Sequence, residues 1–179
     1  ELNGRPGKQS DGSAKTREVK LCTVWSADSR DAEDRPVRDA GSVTYTAAIE
    51  SAATLDTDEV SSAFTQRVLR EARRRRFTDA ACTVVLGDGA LWIWKIAQEL
   101  FPQAIQIVDR VHVKEHLSTV GKIIYGTDTA QAKNRTKRRH EELDSGRLPD
   151  LLRALRRHSD RFDEARKCFQ YIHRNRDRM

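Results

Sequence analysis

Long apolar runs are missing from this chain. The longest strongly apolar stretch, Ala90 to Trp94, is far short of a membrane span. No signal-peptide pattern opens the chain. Cysteine is scarce: Cys22, Cys82 and Cys168 are widely spaced and odd in number, which argues against a disulfide framework and for a reducing cytoplasm. Aromatic residues are only 6% and apolar residues 37% of the 179, low for a self-contained globule. The numbering begins at Glu1 rather than Met, so the chain reads as a piece of something longer. The glycine fingerprint GxGxxG is absent, so a dinucleotide site is not supported.

What is plentiful is charge, and it is uneven. Residues 130–179 hold 15 Lys and Arg against 8 Asp and Glu, a net of +7. Residues 1–129 hold 18 against 19, a net of −1. A basic tail region on a near-neutral body favours a polyanionic partner, most simply nucleic acid, although surplus arginine on a solvated helical surface gives the same count. Arg138, Arg139, Arg156 and Arg157 are the candidate phosphate contacts, and binding through them is expected to weaken with salt and to ignore base sequence.

Residues 1–16 are polar and glycine-containing and read as a loop or linker. Residues 17–25 alternate, with Val19, Leu21, Thr23 and Trp25 on one face, which predicts a half-buried strand. Residues 26–41 read as a hairpin loop and 42–49 as its partner strand. Helical spacing runs over 58–76 through Val60, Ala63, Phe64, Val68, Leu69 and Ala72, with Thr57 or Asp58 as the cap. The run Arg73 to Arg76 suits the negative end of that helix dipole as well as it suits phosphate.

Two short apolar runs follow, 83–87 and 104–108. Each looks like a buried strand, and each is followed by a helix, 91–100 and 110–124. Phe101-Pro102 stops the first of these helices. Strand, helix, strand, helix is the order of a parallel α/β sheet, whose sites lie at the carboxyl ends of the strands. After Gly126, stripes through Leu148, Leu151, Leu152 and Leu155 and through Phe162, Ala165, Phe169 and Ile172 predict two or three basic helices.

Each apolar run ends in a carboxylate. Asp88 sits between Gly87 and Gly89, where it can cap the next helix or offer oxygens to a hard divalent ion. Asp109 has the same two options. His112 and His116 are four apart and share a helix face. With Glu115 they also spell H-x-x-E-H, the inverted zincin signature, which needs a distant third ligand that the sequence does not identify.

The block GDGALWIWKIAQELFPQAIQIVDRVHVKEHL resembles the core of bacterial insertion-sequence transposases of the Kra type, DDE enzymes distantly related to the Mutator-like transposases. The strings KQSDGSAKTREVKLCTVW, AGSVTYTAAIE, GRLPDLLRALRRH and DEARKCFQYIHRNRDRM are similar to the same family, so the likeness spans essentially the whole chain. It implies a ribonuclease-H-like fold in which two Asp and one Glu hold two Mg²⁺ or Mn²⁺ ions for an in-line displacement at phosphorus. Asp88 matches the second acid. Asp109 and His112 match a Cys/Asp-x-x-His element taken to support the site, with His116 beside it. The first Asp and the final Glu are expected outside residues 1–179. Leu91 stands where similar sequences have Pro, which a helix start tolerates.

The expectation is therefore an α/β chain. Residues 1–16 are a linker, 17–126 an incomplete ribonuclease-H-like domain (a mixed sheet with flanking helices) and 127–179 a basic α-helical insertion. The implied function is metal-dependent DNA strand cleavage and transfer. Its partners are element ends and target DNA, with no membrane, and the intact protein is expected to form a homo-oligomer. The implied setting is the bacterial cytoplasm, associated with the nucleoid. The chain alone is expected to be inactive. A non-catalytic DNA-binding remnant and a zinc metalloprotease-like protein are the alternatives.

Overall fold

The computed structural model describes residues 17–51 and 62–179. The polar stretch 1–16 and the expected caps Thr57 and Asp58 lie outside them. The chain is mixed α/β and divides into two compact units, 1–83 with 94–104, and 84–93 with 105–179. No helix among the described residues is long and apolar enough to cross a membrane.

In the first unit, β1 (Arg17–Val24) and β2 (Thr44–Ser51) form an antiparallel hairpin in the register Val19↔Ile49, Leu21↔Ala47, Thr23↔Tyr45. The predicted alternation is present, but the buried face is the opposite one. Leu21 is 59% exposed and Lys20 only 1%. The reason is α1 (Ala63–Arg74), which packs on the hairpin through Phe64, Val68 and Ala72. Its Glu71 accepts a hydrogen bond from Thr44 Oγ1 at 2.5 Å and an ion pair from Arg74 at 2.7 Å. Thr44, at the start of β2, thereby joins the strand to the helix. Val19, Leu21, Tyr45 and Ile49 stand on the uncovered side.

Ser62 caps α1, its Oγ accepting from the Thr65 N–H at 3.1 Å. The arginine run ends the helix, with Arg73 and Arg74 in the last turn and Arg76 in the left-handed region at φ 51°. The same unit contains most of α2 (Leu91–Leu100), which buries Trp94, Ile96 and Ala97 before Phe101 and Pro102 stop it. The Phe101 ring packs against Phe77 at 4.9 Å between centroids.

The second unit is built on β3 (Val84–Gly87) and β4 (Ile105–Val108), which pair in parallel from Val84↔Ile105 to Gly87↔Val108. Parallel strands are normally covered on both faces. These are covered on one. Val84, Leu86, Ile105 and Ile107 remain exposed, which corrects the expectation of two fully buried strands. The covered face holds Val108 and Gln106, and Gln106 Oε1 accepts from Arg178 Nε at 2.8 Å in the C-terminal 3₁₀ turn.

Four helices complete this unit: α3 (Arg110–Tyr125), α4 (Ala130–Asp144), α5 (Leu148–Arg156) and α6 (Asp163–Asn175). Their core is Val113, Leu117 and Val120 of α3, Leu151 and Leu155 of α5, and Ala165, Cys168 and Ile172 of α6. Cys168 takes the core position expected of Phe169, which is only half-buried. Gly121 lets α3 and α4 touch closely, because a Cβ there would collide with Thr136 Oγ1. The expected single mixed sheet is not seen among the described residues, whose strands form two separate two-stranded sheets, one antiparallel and one parallel.

Candidate functional site

The parallel register sets the site. Gly87 and Val108 are partners at the ends of their strands, so the next residue on each, Asp88 and Asp109, leaves the sheet at the same edge. The Asp109 N–H also donates to the Gly87 carbonyl at 2.7 Å, extending the pairing to the acid itself.

Both carboxylates do local structural work. Asp109 is the N-cap of α3, and its Oδ1 accepts from the Val111 N–H at 2.8 Å. Asp88 is not the cap residue of α2, yet its Oδ1 accepts from the Ala90 N–H at 2.9 Å, just before the helix begins. Each acid thus has one oxygen committed to backbone. Asp88 is exposed.

Tyr171 of α6 closes the site and was not singled out from sequence. Its hydroxyl donates to the Asp88 carbonyl oxygen at 2.7 Å. Its ring lies over Gly89, whose φ is +93° and where a Cβ would be 2.5 Å from Tyr171 Cε2. Gly89 is therefore required twice, by its backbone angle and by the ring above it. Burial, then the Asp88, Cys168 and Asp109 charges, push the Tyr171 phenol up to about 12, so it stays a proton donor through the neutral range.

His112 and His116 complete the cluster. Their Nε2 atoms are 3.1 Å apart, a contact that needs one nitrogen protonated and the other bare. The His116 ring packs on Tyr171 at 4.7 Å between centroids, and His112 Nδ1 lies 3.5 Å from Glu115. Burial, helped by the neighbouring His112, holds His116 below its ordinary value, with Glu115 and Asp88 opposing. Cys168 lies beneath, buried, its thiol pushed up to about 12, so it is an inert core residue rather than a nucleophile.

A two-ion centre needs several free carboxylate oxygens. Asp88 and Asp109 each have one occupied, and among the described residues no group of three or more His, Cys, Asp or Glu side chains is placed to hold an ion. The described residues do not by themselves make the Mg²⁺ or Mn²⁺ site that the resemblance implies. Nor, among the described residues, does a third ligand join His112 and His116 for zinc.

The four candidate arginines do not share one environment. Arg138 and Arg139 of α4 both reach Oε1 of Glu142, at 3.3 and 2.7 Å, and Glu142 is buried to 2% exposure. Arg156 and Arg157 are exposed at the end of α5. Arg157 borders a cleft together with Arg138 and Arg139, whereas Arg156 lines a different depression beside Phe169 and His173.

No family model, curated protein or solved structure matches the chain.

Proposed function

We propose that the chain is part of a DDE-type DNA transposase with a ribonuclease-H-like catalytic core, and that Asp88 is one of its acids. The observation that carries this is the parallel pairing of β3 and β4, which delivers Asp88 and Asp109 to one sheet edge. Strand ends are where open α/β sheets place their chemistry. The motif block around these acids, GDGALWIWKIAQELFPQAIQIVDRVHVKEHL, is the part of the sequence most like the transposases.

Within this reading Asp88 keeps one carboxylate oxygen for chemistry while the other anchors its own turn. Tyr171 fixes that turn from behind, through the Asp88 carbonyl. Asp109, His112 and His116 hold α3 and Tyr171 in place and are positioning residues. The two further acids come from outside this chain. DNA is the substrate and partner, and the basic surface of residues 130–179 supplies phosphate contacts.

The test is a strand-cleavage assay on DNA carrying the element ends, with Mg²⁺ or Mn²⁺. The chain alone is expected to be silent, because members of such a carboxylate unit fail together. Supplying the adjoining coding sequence with the missing Asp and Glu is expected to restore cleavage. Cleavage by residues 1–179 alone, lost in Asp88→Ala, would contradict this account.

A further inference from the structure

Between α3, α4 and α5 lies a cleft of about 250 Å³ that the carboxylate site does not use. Five arginines border it, Arg135, Arg138, Arg139, Arg153 and Arg157, against two carboxylates, Glu142 and Asp150. Much of this charge is uncompensated. Arg138 and Arg139 share a single oxygen of Glu142, and Arg153 is paired with Asp150 at 2.9 Å. Arg135 lies over the Tyr125 ring, 5.9 Å from its centroid. Neither Arg135 nor Arg157 has an ion-pair partner among the described residues.

Two residues of the lining, Arg139 and Glu142, each carry a buried side-chain atom that lacks a hydrogen-bond partner among the described residues, Nε and Oε2 respectively. A buried donor and a buried acceptor left open are costly, and native proteins seldom tolerate them without a ligand or water to fill them. They also state what is missing: an acceptor for the guanidinium and a donor for the carboxylate. Burial and the adjacent Arg138 and Arg135 charges hold Arg139 below its ordinary value, with Glu142 opposing, so an anion there would relieve the crowding of like charge. Leu117, Val120, Ile124 and Leu155 give the cleft an apolar wall against which a flat ring can pack, with Tyr125, Thr136 and His158 also in the lining.

We propose that this cleft binds one nucleotide unit, its phosphate on the arginines, its hydroxyl or amino donor on Glu142, and its base against the apolar wall. Guanidinium forks match phosphate oxygens in pairs. A phosphate without a base would leave Glu142 and the apolar wall unused. The unit can belong to a free nucleotide or to a single strand; the chemistry is the same. The inference stands apart from the role assigned to Asp88.

The experiment is a titration of the ¹⁵N-labelled chain, following the Arg139 Nε–H resonance, with adenosine monophosphate, inorganic phosphate and a short single-stranded oligonucleotide. Adenosine monophosphate is expected to shift the resonance saturably and to bind more tightly than phosphate. Arg135→Gln and Arg157→Gln are each expected to weaken binding about tenfold, as loss of a charge-assisted hydrogen bond does. Both side chains are exposed, so circular dichroism should show the fold unchanged. Arg67→Gln, which removes the same charge from an exposed position on α1 outside the cleft lining, should change nothing. An oligonucleotide that displaces the monophosphate and is weakened by the same two variants identifies a strand as the source; one that fails to compete identifies the free nucleotide. Phosphate binding as tightly as the nucleotide, no saturation at millimolar ligand, or equal weakening by Arg67→Gln would overturn the proposal.

Discussion

Gly89 has no room for a side chain and no ordinary backbone angle, and both constraints come from its place between Asp88 and Tyr171. Gly89→Ala is expected to cost about 1–3 kcal/mol, the scale of backbone strain at such positions. Urea unfolding measures it. A change within about 0.5 kcal/mol, the size of a neutral surface substitution, would show that the loop and Tyr171 can part without loss. The second residue-scale prediction is pH dependence. His116 is held below its ordinary value in the folded chain, so the unfolded chain binds its proton first as pH falls. The stability that His116 contributes is complete above about pH 6.5, its unfolded value, and is lost as pH drops from there through the lowered folded value. Urea midpoints taken between neutral pH and about pH 5 should fall, and His116→Asn should flatten that fall. An unchanged slope in the variant would remove His116 from the account.

At the scale of elements, the two acids behave alike in one respect: each serves the start of the helix that follows its strand. Asp109→Ala is expected to lose about 0.5–2 kcal/mol through the uncapped α3, whereas Asp109→Asn, which keeps an oxygen for Val111, is expected to lose much less. Equal stability of all three proteins in thermal unfolding would show that α3 does not depend on its cap. The helices were legible because their signals are local. The stripe of Val113, Leu117 and Val120, the stop at Phe101-Pro102, and the strand runs before Asp88 and Asp109 each needed only a few neighbouring residues. The hairpin face was not legible. Alternation gives two faces, and only the arrival of α1, with Glu71 at Thr44, decides that the Lys20 side is covered. Arg139 shows the same limit. In sequence it is one of a basic run; in the fold it is the closer of two partners of buried Glu142, so neutralising it leaves that carboxylate with Arg138 alone at 3.3 Å.

Across the whole molecule, the sequence pattern led to the mixed α/β class and to the carboxylate edge, but not to the sites made by distant contacts. Tyr171 meets Gly89, His116 and the Asp88 carbonyl across most of the second unit, and no spacing rule connects them. The arginine cleft likewise needs α3, α4 and α5 together. The central claim concerns Asp88, whose turn geometry is equally suited to a structural acid and to a catalytic one. Asp88→Asn separates them, because the amide oxygen still accepts from Ala90 while the negative charge is gone. Under the proposed transposase reading, the decisive measurement is strand cleavage of element-end DNA by a full-length transposase that carries this sequence, with its unfolding free energy recorded in parallel. The account predicts that Asp88→Asn leaves the unfolding free energy within about 0.5 kcal/mol of the parent while cleavage falls to background. Cleavage at the parent rate in that variant would contradict it, and would make Asp88 a structural residue of the β3–α2 turn.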